Sequence, residues 1–254
     1  MELSMEQRRR AVVELVTAKG SVSFAQLKEA FPNVSDMTLR TDLKALDQAR
    51  RLVRVHGGAK SVEVVVGTDD LLGRRTARNA EAKQRIAQKA VELLHPNTAF
   101  FLDSGSTTTA VARLLPDEPY LIYTSGLSCA IELARLAAPR VYLPGGALNR
   151  YSMSVCGVQS MNDLQRVNFD LMLLGVTSYS PEAGFSCNVE EEAQLKRVVM
   201  QRSERVAVLM DSSKLGLKST FTICSLPEVD LVISDGSLPE EFLAECRRCG
   251  VTVY

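Results

Sequence analysis

The stretch Val34-Ser35-Asp36-Met37-Thr38-Leu39-Arg40-Thr41-Asp42-Leu43 decides the fold of the N-terminal part of this chain of 254 residues. Leu39, Leu43 and Leu46 recur at the spacing of one buried helix face, and Ser35 stands where an N-cap would begin that helix. The opposite face offers hydroxyl, guanidinium and ammonium groups near the helix start. These outward residues are Met37, Thr38, Arg40, Thr41 and Lys44. Since such groups can contact base edges and phosphates, the pattern predicts a DNA recognition helix.

Two shorter patterns before this stretch predict two further helices. The first is expected over residues 5–19, with Gly20 as its C-terminal stop. The second opens with Ser23 and Gln26, which are three residues apart as in a capping box, and it ends before Pro32-Asn33. Three short helices in this order are typical of a helix-turn-helix domain.

A basic segment, Arg50-Arg51-Leu52-Val53-Arg54-Val55-His56-Gly57-Gly58-Ala59, follows the third helix. Its alternating apolar and basic residues predict a β-ribbon, or wing, that lies on the phosphate backbone. Residues 1–60 carry 11 Lys and Arg against 7 Asp and Glu, whereas the remainder carries 19 against 23. The excess positive charge therefore lies in the part predicted to meet double-stranded DNA. The residues expected to contact DNA are Ser35, Met37, Thr38, Arg40, Thr41, Lys44, Arg51, Arg54, His56, Gly57 and Gly58.

The rest of the chain alternates short apolar runs with helical patterns, which predicts an α/β domain with a mostly parallel sheet and helices on both faces. We expect a winged helix-turn-helix domain over residues 1–60, a linker over 61–80 and the α/β domain over 81–254. The segment Val62–Val66 could extend the wing or form a short edge strand. The candidate strands are Ala99–Leu102, Tyr120–Tyr123, Val141–Leu143, Leu171–Leu174, Val206–Met210, Leu231–Ser234 and Val251–Tyr254.

Small and hydroxylated residues follow several of these strands, at the edge where parallel sheets bind ligands. Asp103-Ser104-Gly105-Ser106-Thr107-Thr108-Thr109 leads into a helix, so its hydroxyls and the first helical N–H groups suit a phosphate. Similar loops are Thr124-Ser125-Gly126, Gly145-Gly146 and Asp211-Ser212-Ser213-Lys214. Lys214 would supply a cation to balance an anionic ligand.

Both halves of the chain resemble the DeoR/GlpR family of repressors. The stretch 34–43, followed by 52–59, is similar to that family's DNA-binding signature, although Thr41 stands where the family usually has a second arginine. The loop 103–109, the later glycines, Glu191-Glu192-Ala193-Gln194-Leu195-Lys196 and the loop 211–216 are similar to its sensor domain. The resemblance implies a sensor fold like that of ribose-5-phosphate isomerase and a phosphorylated sugar, or a related phosphate ester, as effector.

The sequence and the resemblance together define a candidate effector site. Its residues are Asp103, Ser104, Gly105, Ser106, Thr107, Thr108, Thr124, Ser125, Gly126, Gly145, Gly146, Glu191, Lys196 and Lys214. An isomerase would need a carboxylate base beside the sugar carbon. The segment Gly175-Val176-Thr177-Ser178-Tyr179-Ser180 has none before Glu182, although Glu191 or Glu192 could reach the pocket. We therefore expect a regulator and not an enzyme.

The remaining features narrow the class of protein. No Walker-type G-x-x-x-x-G-K-[ST] motif is present. Cys246 and Cys249 form one C-x-x-C without a second ligand pair, so we expect no metal site. We find no apolar run long enough to span a membrane and no signal peptide, and expect a cytoplasmic protein without a cofactor. Paired operator half-sites predict a homodimer or homotetramer, and whether the effector induces or co-represses stays open.

Overall fold

The computed structural model describes residues 4–49, 51–55, 57–61 and 72–254. The chain divides into two compact units, Met1–Asp70 and Leu71–Tyr254. The linker expected over 61–80 is too long, because Leu72–Ala77 forms a helix (α4) and Ala80–Glu92 another (α5), both within the second unit. The proposed strand Val62–Val66 lies outside the described residues.

The first unit is a winged helix-turn-helix, as predicted. Its helices are α1 (Met5–Lys19), α2 (Phe24–Ala30) and α3 (Asp36–Gln48). Its strands β1 (Ser21–Ser23), β2 (Val53–Val55) and β3 (Gly58–Lys60) form an antiparallel sheet in the order β1-β3-β2. The strand β1 was not expected, since three residues between two helices leave little pattern to detect.

Local sequence signals set the helix boundaries of the first unit. Ser23 and Gln26 form the predicted capping box, with Ser23 Oγ 3.2 Å from the Gln26 N–H. Ser35 caps α3 through a hydrogen bond from the Thr38 N–H. The apolar faces of the helices and the wing meet in one core, which contains Val12, Val16, Val22, Leu27, Leu43, Leu46, Leu52 and Ala59.

The second unit is built on a parallel sheet of seven strands in the order β15-β14-β12-β9-β4-β5-β6. The strands are β4 (Ala99–Leu102), β5 (Leu121–Thr124), β6 (Arg140–Tyr142), β9 (Leu171–Gly175), β12 (Val206–Leu209), β14 (Leu231–Ile233) and β15 (Thr252–Val253). The remaining helices are α6 (Ser106–Leu114), α7 (Leu127–Leu133), α8 (Val158–Leu164), α9 (Glu190–Met200) and α10 (Glu240–Cys249). The predicted sheet and its seven strands are thus confirmed, with strand ends shifted by at most one residue.

Helices cover both faces of this sheet, so its central strands are apolar throughout. In β4, Phe100 and Leu102 join one core cluster and Phe101 joins the other. Leu173 and Leu174 of β9 divide in the same way. Alternate residues therefore face opposite layers, and the strands end together at one edge of the sheet.

Two antiparallel ribbons of the second unit were missed. One joins β7 (Ala147–Asn149) to β8 (Ser154–Cys156), and the other orders β10 (Ser178–Ser180), β11 (Gly184–Cys187) and β13 (Phe221–Cys224) as β10-β11-β13. Their strands have only three or four residues each, so the sequence pattern is too short to detect, and tertiary packing sets them. Among the described helices, none combines the length and the apolar character required to cross a membrane.

Candidate functional site

The recognition helix α3 presents the predicted polar face to solvent. Met37 is 75% exposed, and Arg40, Thr41 and Lys44 are also exposed. Thr38 is half-buried, and its hydroxyl lies 2.8 Å from Ser35 Oγ, so this pair belongs to the helix cap. Met37, Arg40, Thr41 and Lys44 are therefore exposed on the predicted DNA-facing side of α3, while Ser35 and Thr38 also serve the cap, and all six contacts stay predictions.

Two of these side chains are already held by the fold. The Arg40 guanidinium carbon lies 4.3 Å from the centroid of the Phe24 ring, which is a cation–π contact between α3 and α2. The Thr41 hydroxyl donates to the Met37 carbonyl at 2.9 Å. Both contacts restrict side-chain freedom before DNA binds.

An ion-pair cluster ties α3 to α1. The Asp42 carboxylate is buried, and its two oxygens accept from Arg8 Nε at 2.6 Å and from Arg9 Nε at 2.7 Å. Both arginines are partly exposed. This cluster fixes the orientation of α3 and was not predicted, because helix periodicity alone places Asp42 among polar residues.

The residues of the wing that are predicted to contact DNA differ in their exposure to solvent. Arg51, Arg54 and Gly57 are exposed, as a phosphate contact requires. Gly58 is buried in β3, where a Cβ atom would lie 2.2 Å from the Val22 carbonyl oxygen. Gly58 therefore serves the packing of β3 on β1, and its predicted contact with DNA stays a prediction. The predicted contact His56 lies outside the described residues.

The loop after β4 forms the predicted entry to α6. Gly105 is the N-cap at φ +138°, a conformation that favours glycine, and no described side chain caps the helix. The Thr108 hydroxyl donates to the Gly105 carbonyl at 3.0 Å, so Thr108 serves the turn itself. The hydroxyls of Ser104, Ser106 and Thr107 make no hydrogen bond within the described part of the chain. The helix N-terminus thus presents uncapped N–H groups beside three available hydroxyls.

The loop after β5 lies against this entry. A Cβ atom on Gly126 would lie 3.0 Å from Ser104 Cα, so the two loops are in contact. Thr124 is buried and its hydroxyl accepts from the Gly126 N–H at 3.1 Å. The Ser125 hydroxyl is buried and has no hydrogen-bond partner among the described residues. Such a group indicates a site for a further polar partner.

A buried ion pair links the loop after β4 to α9. Lys196 Nζ lies 2.7 Å from Asp103 Oδ2 and also donates to the Gly175 carbonyl at 2.7 Å. Burial raises the pKa of the Asp103 carboxyl, while Lys196 counteracts this. Burial lowers the pKa of Lys196, but Asp103, followed by Cys187 and Glu192, together outweigh the effect of burial and hold that pKa above its usual value. Because Lys196 and Asp103 pair with each other, they stabilise the loop after β4 and are not available to bind a ligand.

Two neighbouring glutamates at the start of α9 differ in burial. Glu191 is exposed, whereas Glu192 is buried and accepts from Ser154 Oγ at 2.6 Å. Glu192 and Lys196 are one turn apart on the buried face, whereas Glu191, the glutamate that the sequence analysis names for the effector site, is exposed, and its role stays a prediction. The sequence analysis could have identified Glu192 as buried, because Glu192 falls on the same helix face as Leu195 and Val199.

The glycines after β6 are at the far side of this edge. β6 is the outermost strand, and Gly145 N donates to Asp163 Oδ2 at 2.9 Å. A Cβ atom on Gly146 would lie 2.4 Å from Ser160 Oγ. The structure therefore gives Gly145 and Gly146 a role in packing against α8 and β8, and their predicted contact with the effector stays a prediction.

The loop after β12 contains Lys214, which lies near a second lysine, Lys83. Lys214 is half-buried at the end of a 3₁₀ turn, Ser212–Lys214, which Asp211 caps through the Ser213 N–H at 3.0 Å. Lys83 of α5 is buried and donates to the carbonyls of Arg75 and Arg78. Burial, followed by the nearby Lys214 charge, lowers the pKa of Lys83 to about 8. The Asp211 carboxylate lies near Lys83 and acts in the opposite direction, so this group combines two cations with one anion.

Lys83 was missed by the sequence analysis. It falls on the buried face of α5 with Ile86, Ala87 and Ala90, where a lysine is rarely found without a partner. A charged residue on an otherwise apolar helix face is the signal that could have identified it.

Comparison with known proteins assigns both units. The DeoR-like helix-turn-helix domain matches residues 8–65, and the DeoR C-terminal sensor domain matches residues 78–236. The chain belongs to the DeoR family of transcriptional regulators. This family assignment and the winged-helix geometry identify a DNA-binding transcriptional regulator, and helix-turn-helix regulators of this family bind operator DNA.

The DeoR-family regulator has relatives that align over nearly their whole length. It is 36% identical to the HTH-type transcriptional regulator GlpR of Haloferax volcanii, with 97% of this chain and 96% of that protein covered. It is 33% identical to a putative aga operon transcriptional repressor of Escherichia coli O157:H7, with coverage of 97% and 92%. It is 30% identical to the glycerol-3-phosphate regulon repressor of Escherichia coli K12, with coverage of 93% of each. These relatives are regulators and not enzymes, as the sequence analysis expected of this chain.

Ribose 5-phosphate isomerase A of Methanocaldococcus jannaschii is a distant structural neighbour of the DeoR-family regulator. The match covers 54% of this chain and 55% of the isomerase, at 16% identity and a TM-score of 0.40.

Proposed function

We propose that this DeoR-family regulator represses a carbohydrate-metabolism operon in the cytoplasm and that a phosphorylated sugar, or a related phosphate ester, controls it without any cofactor. The observation that carries the proposal is the uncapped N-terminus of α6. There the hydroxyls of Ser104, Ser106 and Thr107 are available, and the buried Ser125 hydroxyl in the adjoining loop lacks a partner within the described chain. Helix N-termini of this kind bind phosphate groups well.

Two further features support an anionic effector. Lys83 and Lys214 place two cationic side chains near each other beside the loop after β12. The names of two relatives refer to a repressor of the aga operon and to repression of a glycerol-3-phosphate regulon. These two lines of support are independent, because the lysine pair is an electrostatic feature of this chain and the names describe similar proteins.

The regulator would act as a homodimer or homotetramer. In this arrangement α3 and the wing of one subunit occupy one operator half-site, and a second subunit occupies the other. Paired half-sites would lie about 34–36 Å apart or a multiple of that. Effector binding would change operator affinity by roughly 5- to 150-fold, which is the usual range for such coupling.

Fluorescence anisotropy with DNA from the promoters flanking its own gene tests the effector. We expect one or more sugar phosphates to release the DNA, whereas the corresponding unphosphorylated sugars do not. The double variant Ser106→Ala/Thr107→Val should require a much higher concentration for the same release. If sugar phosphates and free sugars act alike, or if neither changes operator affinity, the phosphate assignment is wrong.

A reporter assay tests the direction of control. Deleting the regulator's gene should raise expression from the promoter to which it binds. A fall in expression would identify an activator and overturn the repressor assignment while leaving the DNA-binding function in place.

A further inference from the structure

The most exposed large apolar side chain among the described residues lies on α3. Met37 is 75% exposed and lies outside the core cluster of the first unit. Single exposed apolar residues are common on protein surfaces, so this exposure alone does not indicate a function. The position of Met37 is informative, because it is the second residue of α3 and shares the predicted DNA-facing side with Arg40, Thr41 and Lys44.

The polar side chains at the start of α3 are already paired within the unit. The Ser35 hydroxyl accepts from the Thr38 N–H at 3.1 Å and lies 2.8 Å from the Thr38 hydroxyl. The Asp36 carboxylate lies 3.4 Å from Nζ of Lys28, which belongs to α2. Met37 is thus the side chain of this turn that stays exposed without an ion pair or a hydrogen bond in the described part of the chain.

The next turn of α3 holds the backbone of Met37 in place. The Thr41 hydroxyl donates to the Met37 carbonyl at 2.9 Å. The Arg40 guanidinium carbon lies 4.3 Å from the centre of the Phe24 ring on α2. These contacts fix the point at which the Met37 side chain leaves the helix, while its unbranched thioether remains able to adapt to a partner surface.

The major groove of DNA contains one apolar feature that could contact such a side chain. Hydrogen-bond donors and acceptors line the base edges, and the C5-methyl group of thymine is the apolar group among them. The N-terminal residues of a recognition helix are the ones that reach the base edges. Contact with this methyl group would remove apolar surface of Met37 from water, which is favourable. A phosphate offers no equivalent contact, because it is anionic.

We propose that Met37 selects thymine in the operator by packing its side chain against the C5-methyl group in the major groove. Each half-site then contains one T·A pair at which this residue recognises the methyl group and not a hydrogen-bonding atom. The inference rests on the predicted entry of α3 into the major groove and adds which base the first turn of α3 selects.

Replacing thymine by deoxyuridine tests this directly, since it removes the methyl group and leaves the base-pairing edge unchanged. The probe is the duplex that the full chain enriches from a random-sequence pool, with each thymine of one half-site replaced in turn. Fluorescence anisotropy gives the dissociation constant of each duplex. The variants are Met37→Ser, which removes the apolar side chain, and Met37→Leu, which keeps one. Met5→Ser is the matched control, because Met5 is also an exposed methionine at the start of a helix.

We expect the wild type to bind about fourfold more weakly when deoxyuridine replaces thymine at one position, as the loss of one buried methyl group predicts. The Met5→Ser control should show the same loss. Met37→Ser should bind the thymine and deoxyuridine duplexes equally, whereas Met37→Leu should still distinguish them. Because the Met37 side chain is exposed, both variants should fold like the wild type, and thermal unfolding checks this.

Three outcomes would overturn the assignment to Met37. The first is that the enriched duplex has no thymine in its half-sites, and the second is that no single deoxyuridine weakens binding by the wild type. The third is that Met37→Ser keeps the full loss at the same position, which would show that another residue or the shape of the DNA selects thymine there. Failure of sequence-specific DNA binding has a different signature, because no duplex would be enriched from the pool, and the inference would then fail with it.

Discussion

Lys196 Nζ and Asp103 Oδ2 lie 2.7 Å apart, although 93 positions separate the two residues in the chain. Lys196 is 4% exposed and Asp103 1%. Asp103 Oδ2 also accepts from the Gly175 N–H at 2.9 Å, so one carboxylate joins α9, the end of β9 and the loop after β4. The loop that we propose for phosphate binding is therefore supported by a pair that does not itself need to contact the ligand.

The variant Lys196→Met should destabilise the second unit by about 3–5 kcal/mol, because it leaves the Asp103 carboxylate buried without its partner. Chemical denaturation of the full chain, followed by circular dichroism, measures this change. Lys218→Met is the control, since Lys218 is exposed. A loss comparable to that of the control would mean that the pair is not important for stability.

The variant Asp42→Asn should weaken the attachment of α3 to α1. It removes the charge that accepts from Arg8 and Arg9, and we expect about 1.5–3 kcal/mol lower stability of the first unit. Thermal unfolding and operator affinity should both decline, whereas Glu29→Gln, at an exposed position, should change neither. Unchanged operator affinity in Asp42→Asn would separate the cluster from DNA binding.

The variant Arg40→Ala should reduce operator affinity by about 1–3 kcal/mol if Arg40 contacts a base. The Phe24 ring holds the guanidinium in place, so part of the loss comes from reduced pre-organisation. Anisotropy titrations against the operator and against unrelated DNA separate specific from general binding. Arg113→Ala, in the second unit, is the control, and equal affinity of both variants would refute the assignment.

The variant Lys214→Ala should leave operator binding intact and abolish the response to the phosphorylated effector. The reason is that the proposed effector site includes the Lys214 cation, and Lys214 lies outside the DNA-binding unit. Operator release is titrated with the effector for wild type and variant in parallel. Equal release by both proteins would remove Lys214 from the site.

Effector affinity should fall as the pH rises through about 8. Burial lowers the pKa of Lys83 to about 8, so this lysine is charged below that pH and neutral above it, and a phosphate dianion loses one favourable charge. Calorimetric titrations between pH 7 and 9 (about one unit on either side) measure the effect. The variant Lys83→Met should bind more weakly and show little pH dependence, and a pH profile identical to that of the wild type would contradict the assignment.

Local sequence patterns predicted the features that depend on neighbouring residues. The capping box at Ser23, the N-cap at Ser35 and the strand-loop-helix around Asp103 all follow from spacings of a few positions. The parallel sheet followed from the alternation of apolar runs with helical patterns. These features were predictable because backbone hydrogen bonding and helix phase are local properties.

Pairings between distant residues could not be predicted in this way. No spacing indicates that Asp42 meets Arg8, that Lys196 meets Asp103, or that Lys83 lies near Lys214. The choice between Glu191 and Glu192 depends on which face of α9 is buried, and a sequence pattern defines that only to within a residue. Three separate segments meet beside Asp211, and the sequence analysis singled out only one of them, the loop 211–214.

The most direct test of the account is a crystal structure of the full chain grown with a sugar phosphate that releases the operator. We predict that the phosphate group lies at the N-terminus of α6, within hydrogen-bond distance of the Ser106 and Thr107 N–H groups and of the Ser125 hydroxyl. A phosphate bound elsewhere, with this helix end occupied by the protein's own side chains, would contradict the account.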